Sequence, residues 1–218
     1  MKKLITIVFL LAVIAAFYNS AYSQAFRING YGFYTLDDDV EAVNGNNYFR
    51  GTVKAGALWG GSFEYNAMKE YGVEVAYFRQ DTDFPVNYYT GVSYDKDFSL
   101  GINYIMFGVN RYIVIPKSPF EPFGGIMIGA AILENKDPLP GAESSTTKFA
   151  WQIKAGVNIM ATKQFGFKFQ AHVLSAVQSV GGGFYLGTGG TSAGLTTNSS
   201  MMQVGFGGGL VFKFGKNL

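Results

Sequence analysis

The sequence predicts an all-β protein, an eight-stranded antiparallel up-and-down transmembrane β-barrel behind an export signal. Three observations point there. The first is alternation, seen most cleanly in "FAWQIKAGVNI", residues 149–159. Phe149, Trp151, Ile153, Ala155, Val157 and Ile159 share one face, and Ala150, Gln152, Lys154, Gly156 and Asn158 share the other. A period of two is the mark of a strand. The second is segment length, and the third is an unusually low content of charge. Charged residues make up 15% of the chain, aromatics 17%, and glycines number 29, whereas soluble domains carry about 25% charge.

The chain opens on "MKKLITIVFLLAVIAAFYNSAYSQ". Lys2 and Lys3 precede an apolar stretch from Leu4 to Phe17, and small residues precede Gln24. This is the pattern of a secretory signal peptide over 1–23, with a barrel domain over 24–218. The apolar stretch is shorter than the ~20 residues of a spanning helix. The full chain has 17 basic and 15 acidic side chains. Loss of Lys2 and Lys3 with the signal leaves the two signs balanced, so no basic patch invites nucleic acid. There are no cysteines, which removes disulfides and thiolate metal sites from consideration.

After the signal, strands are expected at 25–36, 53–65, 71–83, 98–113, 120–134, 147–161, 165–180 and 201–214. A tilted strand needs ~9–11 residues to cross a bilayer, and these are somewhat longer. The connections at 66–70, 114–119 and 162–164 are short, and those at 37–52, 84–97, 135–146 and 181–200 are long. Outer-membrane barrels put short turns in the periplasm and long loops outside the cell. An even strand count with a periplasmic start places every long connection outside.

The strand faces indicate which solvent lies outside. In "FGFKFQAHV", Phe165, Phe167, Phe169, Ala171 and Val173 oppose Gly166, Lys168, Gln170 and His172. In the last strand, Met202 through Phe214 at even positions oppose Gln203, three glycines, Val211 and Lys213. In the second, Trp59, Phe63 and Tyr65 oppose Lys54, Ser62 and Glu64. A face of glycine with scattered charge is a poor coat for water but a good lining for a narrow lumen. The first and fourth strands carry apolar residues on both faces. A β-bulge or an apolar section of the lumen would explain that.

Eight strands close around an interior that side chains fill, with no wide pore. Arg27, Glu64, Glu74, Lys168 and Lys213 are expected inward at one level near the periplasmic end, either as a salt-bridged plug or partly hydrated at the barrel mouth. Lys154, Gln152, Gln170 and His172 should line the middle. Tyr65, Tyr71, Tyr77, Tyr104, Tyr112, Phe149, Trp151, Phe165, Phe212 and Phe214 lie near strand ends, where interfacial girdles are expected, although some such rings fill lumens.

No catalytic, cofactor or metal site is expected. The single histidine, His172, stands three residues from Ser175, which puts the two on opposite faces of a strand. "DDDVE", residues 37–41, reads as a solvated acidic loop and lacks the spacing of a calcium loop. "GGGFYLGTGG" reads as a flexible surface loop whose Phe184, Tyr185 and Leu186 fold over the barrel mouth.

The signal, "YGVEVAYFRQDTDF", "YIMFGVNRY", "PFEPFGGIMIGAAI" and "GFGGGLVFKF" together resemble the outer-membrane protein β-barrel domain family. That is a small porin-like group related in shape to the barrels of OmpA, OmpX and OmpW. The resemblance implies residence in the outer membrane of a Gram-negative bacterium, contact with its lipid and lipopolysaccharide, and insertion by the barrel-assembly machinery. It implies a structural or surface-interaction role through the loops, without enzyme activity. The alternatives are a channel for small hydrophobic molecules, if Ile105, Phe107 and Val109 face inward, and a lipid-modifying enzyme. Two departures stand out. Only "GKNL" follows the last strand, and Phe214 lies four residues before the end, where relatives often close on an aromatic.

Overall fold

A computed structural model describes residues 25–44, 47–89, 93–136, 145–177 and 201–215. The expected signal peptide, Phe184 to Leu186 and most of the last two expected long connections lie outside these residues. The described residues form ten strands: β1 (Ala25–Thr35), β2 (Asp38–Asn44), β3 (Asn47–Val53), β4 (Gly56–Met68), β5 (Tyr71–Tyr89), β6 (Ser93–Tyr112), β7 (Phe120–Asn135), β8 (Ser145–Met160), β9 (Phe165–Val177) and β10 (Met201–Gly215). Eight of them close a barrel. β1 pairs antiparallel with β4 on one side and β10 on the other, and β4 to β10 follow one another around the wall. The β5–β6 pairing completes the ring.

The two extra strands correct the expected loops. Within the expected 37–52 connection, β2 pairs antiparallel with β3, from Asp38–Val53 to Asn44–Asn47. The 84–97 connection is mostly ladder, because β5 and β6 stay paired out to Tyr89 and Ser93. β3 also pairs with β5, from Tyr48–Tyr89 to Gly51–Val86, so a four-stranded sheet stands above the rim. The acidic run is part of it and is not a free loop. Asp39 accepts from Thr52 Oγ1 at 2.6 Å and from Arg50 at 3.2 Å, and Asp37 lies 3.7 Å from Lys54. Cross-strand partners organise charges that composition alone assigns to water.

The outer wall is apolar. Ile28, Phe63, Val75, Phe107, Ile126, Ile128, Ile153, Phe169 and Phe206 all point outward and are about half exposed. Soluble monomers rarely expose contiguous apolar patches beyond a few hundred Å², so this is a wall built for lipid. The inner face holds Leu58, Phe78, Ile102, Tyr104, Met106, Met127 and Leu174, all nearly or fully buried. That accounts for the two-sided strands. β6 is apolar on both faces because part of the lumen is itself apolar. It pairs with β5 and β7 in continuous register, so no bulge is involved.

Two expectations about faces change, and the faces of β1, which the sequence leaves open, are assigned. Ile105, Phe107 and Val109 are 52%, 53% and 46% exposed and face outward, which removes the inward row suggested for β6. Tyr104 and Tyr112 are buried inside, so they belong to the lumen and to no interfacial girdle. In β1, Tyr31 and Phe33 point in while Ile28 and Tyr34 point out. A register irregularity occurs instead at the β4–β5 turn, between Tyr65 and Met68.

Candidate functional site: the polar lumen

Alternation along eight strands brings one polar side chain after another to the axis, and two networks form there. Near the short-turn end, Glu121 of β7 is the centre. Arg27 donates to its Oε2 at 3.2 Å, Lys213 donates to its Oε1, and Asn158 approaches at 3.5 Å. The Arg27 guanidinium also lies 4.0 Å from the centroid of the Tyr112 ring, a favourable cation–π placement. Tyr112 in turn donates to Glu64 Oε2 at 2.8 Å, and Asn66 donates to its Oε1 at 3.2 Å.

One layer further in, Glu74 of β5 is the hub. Lys154 donates to Oε2, as does Asn110 at 2.7 Å, and Tyr31 donates to Oε1 at 2.6 Å. Ser62 links this hub to Asn29, which donates to it at 2.9 Å. Lys168 reaches the Tyr31 hydroxyl at 3.5 Å and sits 4.6 Å from the Phe123 ring centroid. Both Glu74 and Lys154 have essentially no solvent-exposed side-chain surface. Charges removed from water to this degree are tolerable only when paired and hydrogen-bonded.

The seven residues singled out from sequence, Arg27, Glu64, Glu74, Lys154, Lys168, His172 and Lys213, all point into the lumen and are buried. They do not form one cluster. Arg27 and Lys213 share Glu121, Glu74 pairs with Lys154 rather than a cation of the lower layer, and Glu64 is held by neutral donors. His172 packs edge-on against Phe33 at a centroid distance of 4.8 Å.

Sequence reasoning missed Glu121, Tyr31 and Asn110, and set Tyr112 among the strand-end aromatics, while Ser62 lies on the face expected of it. Parity would have found Glu121, since outward Ile126 and Ile128 put every odd position of β7 inside. Space for these long side chains comes from inward glycines. A Cβ on Gly72 would fall on the Glu64 carboxylate, and one on Gly205 would lie 2.6 Å from His172 Nε2. Among the described residues, no three histidine or carboxylate side chains gather as a metal site requires.

No family model and no curated protein matches the sequence. Solved structures do match in fold. The outer membrane protein OprG from Pseudomonas aeruginosa superposes with a TM-score of 0.54 at 14% identity, covering 88% of this chain and 96% of that one. Neisserial surface protein A superposes with a TM-score of 0.53 at 16% identity, covering 87% and 99%. At such identities the likeness concerns architecture. Together with the closed ring of eight strands and the apolar outer wall, it shows that this chain has the fold of the small outer-membrane β-barrels.

Proposed function

We propose that this chain is an integral outer-membrane barrel of a Gram-negative cell that works at the cell surface through its projecting hairpins and does not conduct. One observation carries the reading: the lumen is crossed by hydrogen-bonded ion pairs and packed apolar side chains, while ordered structure extends beyond the rim. The Glu74–Lys154 and Arg27–Glu121–Lys213 contacts tie β1, β5, β7, β8 and β10 together across the bore. Lipid and lipopolysaccharide surround the apolar wall, the barrel-assembly machinery inserts it, and a surface partner meets the β2–β3 and β5–β6 projections.

The hydrophobic-channel alternative loses its motive, because Ile105, Phe107 and Val109 belong to the outer wall. A lipid-modifying enzyme draws no support from His172, whose ring packs against Phe33 inside the barrel. Planar-bilayer recording of the purified protein, paired with apolar-solute uptake into vesicles, tests the proposal. The expected result is neither discrete openings nor uptake. Stable openings or saturable uptake would overturn it.

A further inference from the structure

We propose that the short-turn end of the barrel binds anionic phospholipid of the periplasmic leaflet, through an apolar patch at the β6–β7 turn edged with lysines. The inference rests on the outer-membrane reading above. β6 ends at Tyr112, yet Ile113, Val114 and Ile115 run on beyond it and are 61%, 51% and 44% exposed. Neighbours along a strand point to opposite faces, and Val114 shares the inward parity of Tyr112. Its exposure means that the chain has left the barrel interior there. The Tyr112 amide donates to the Glu70 carbonyl at 2.7 Å, which ties this turn to the β4–β5 turn. That turn adds exposed Met68 and Tyr71, and Phe120 closes the patch.

Cations surround the patch. Each of the three short turns carries an exposed lysine, Lys69, Lys117 or Lys163, and Arg111 lies 5.8 Å from the centroid of the Tyr71 ring. The Met160 amide donates to the Pro119 carbonyl at 2.8 Å, so the turn that bears Lys163 adjoins the one that bears Lys117. At this end Glu70 is the one exposed carboxylate among the described residues, and Glu121 is held by Arg27 and Lys213. None of the three lysines forms a salt bridge among the described residues. At the loop end Arg50 pairs with Asp39, Lys54 with Asp37, and Arg79 and Lys136 with Asp81. Free positive charge therefore gathers at the short-turn end.

Lys117 occupies a backbone position suited to a different residue. The Ser118 amide donates to the Ile115 carbonyl at 3.2 Å, which makes Pro116 and Lys117 the central residues of a tight turn. Lys117 has a φ of 61°, the one positive value at a non-glycine residue among those described. A turn with proline first and positive φ second usually takes glycine or asparagine there. A lysine at that point sets an ammonium just past the apolar patch. Apolar surface edged by basic residues is the pattern of elements that lie in a membrane interface. A soluble polyanion has no use for Ile113 to Ile115, and an uncharged lipid has none for the lysines. Each lysine near an anionic surface is worth roughly five-fold in affinity at low salt.

NMR of the full chain folded in lipid nanodiscs tests the site. Shifts are compared between discs of phosphatidylcholine alone and discs that also contain phosphatidylglycerol. Phosphatidylglycerol should move the amides of Lys69, Lys117 and Lys163 and the methyls of Ile113 and Val114, and leave the β2–β3 hairpin in place. The response should vanish in about 1 M salt, where the screening length is ~3 Å. Lys117→Gly removes the ammonium while suiting the turn, so the variant should stay folded and lose the response at 113–118. A full response in that variant would overturn the role of Lys117. Unmoved turns, or equal movement of the hairpin, would overturn the site. Inorganic phosphate added to phosphatidylcholine discs should move nothing, and an equal response to it would overturn a lipid ligand. Failure of the outer-membrane reading looks different: the chain would not fold as a heat-modifiable barrel in either disc, and the proposal would fall with it.

Discussion

Glu74 accepts from three strands at once, through Lys154, Asn110 and Tyr31, so its removal has consequences well beyond one contact. Glu74→Gln leaves the Lys154 ammonium buried without a counter-charge. Breaking a buried pair from one side costs about 3–5 kcal/mol, read as a lower urea midpoint for the barrel in lipid vesicles. The double variant Glu74→Gln/Lys154→Met should recover much of that loss, because no unpaired charge remains. On the surface, Asp39 shows the same chemistry without burial. The Thr52 hydroxyl and then the Arg50 guanidinium hold its carboxyl below the ordinary aspartate value. A lowered value means the folded hairpin favours the charged form. The contribution is complete above the ordinary aspartate range and lost as pH falls through the lowered one. Carboxyl NMR titration should place the Asp39 midpoint below that of a free aspartate, and Thr52→Val should move it back up.

At the level of the strand, alternation carries most of the information, and its failures are specific. β8 over 149–159 and β9 over 165–173 were readable residue by residue because no polar side chain falls on the outward face there. β6 was not, since Ile102, Tyr104 and Met106 line an apolar stretch of lumen while Ile105, Phe107 and Val109 face out. Periodicity cannot rank two apolar faces, and only the position of neighbouring strands does so. The β2–β3 hairpin was hidden for a different reason. Its acids read as loop residues until pairing brings Arg50 and Thr52 across from Asp39. The outward assignment of β7 makes a direct prediction. Ile128→Arg places a cation on the lipid-facing wall, where the cost is about 2–4 kcal/mol at the bilayer midplane. The check is the fraction folded, by heat-modifiable gel mobility, in vesicles at increasing urea. An unchanged midpoint would mean that β7 is turned the other way.

For the whole molecule, the two tryptophans report on which solvent surrounds the barrel. Trp59 is 55% exposed on the outer wall, and Trp151 shares the outward row of Phe149 and Ile153. Lipids brominated on their acyl chains should quench both, and aqueous iodide should reach neither. The reverse pattern would reject a lipid-facing exterior. By itself the sequence determined the number of strands in the barrel wall, their up-and-down order, and the inward face of all seven polar residues from Arg27 to Lys213. Those features follow from periods and lengths along a single chain. Tertiary structure decided which of those charges meet, that Glu121 completes the lower network, and that the rim carries ordered hairpins. A pairing depends on the stagger of strands around a closed ring, and local sequence does not encode that stagger.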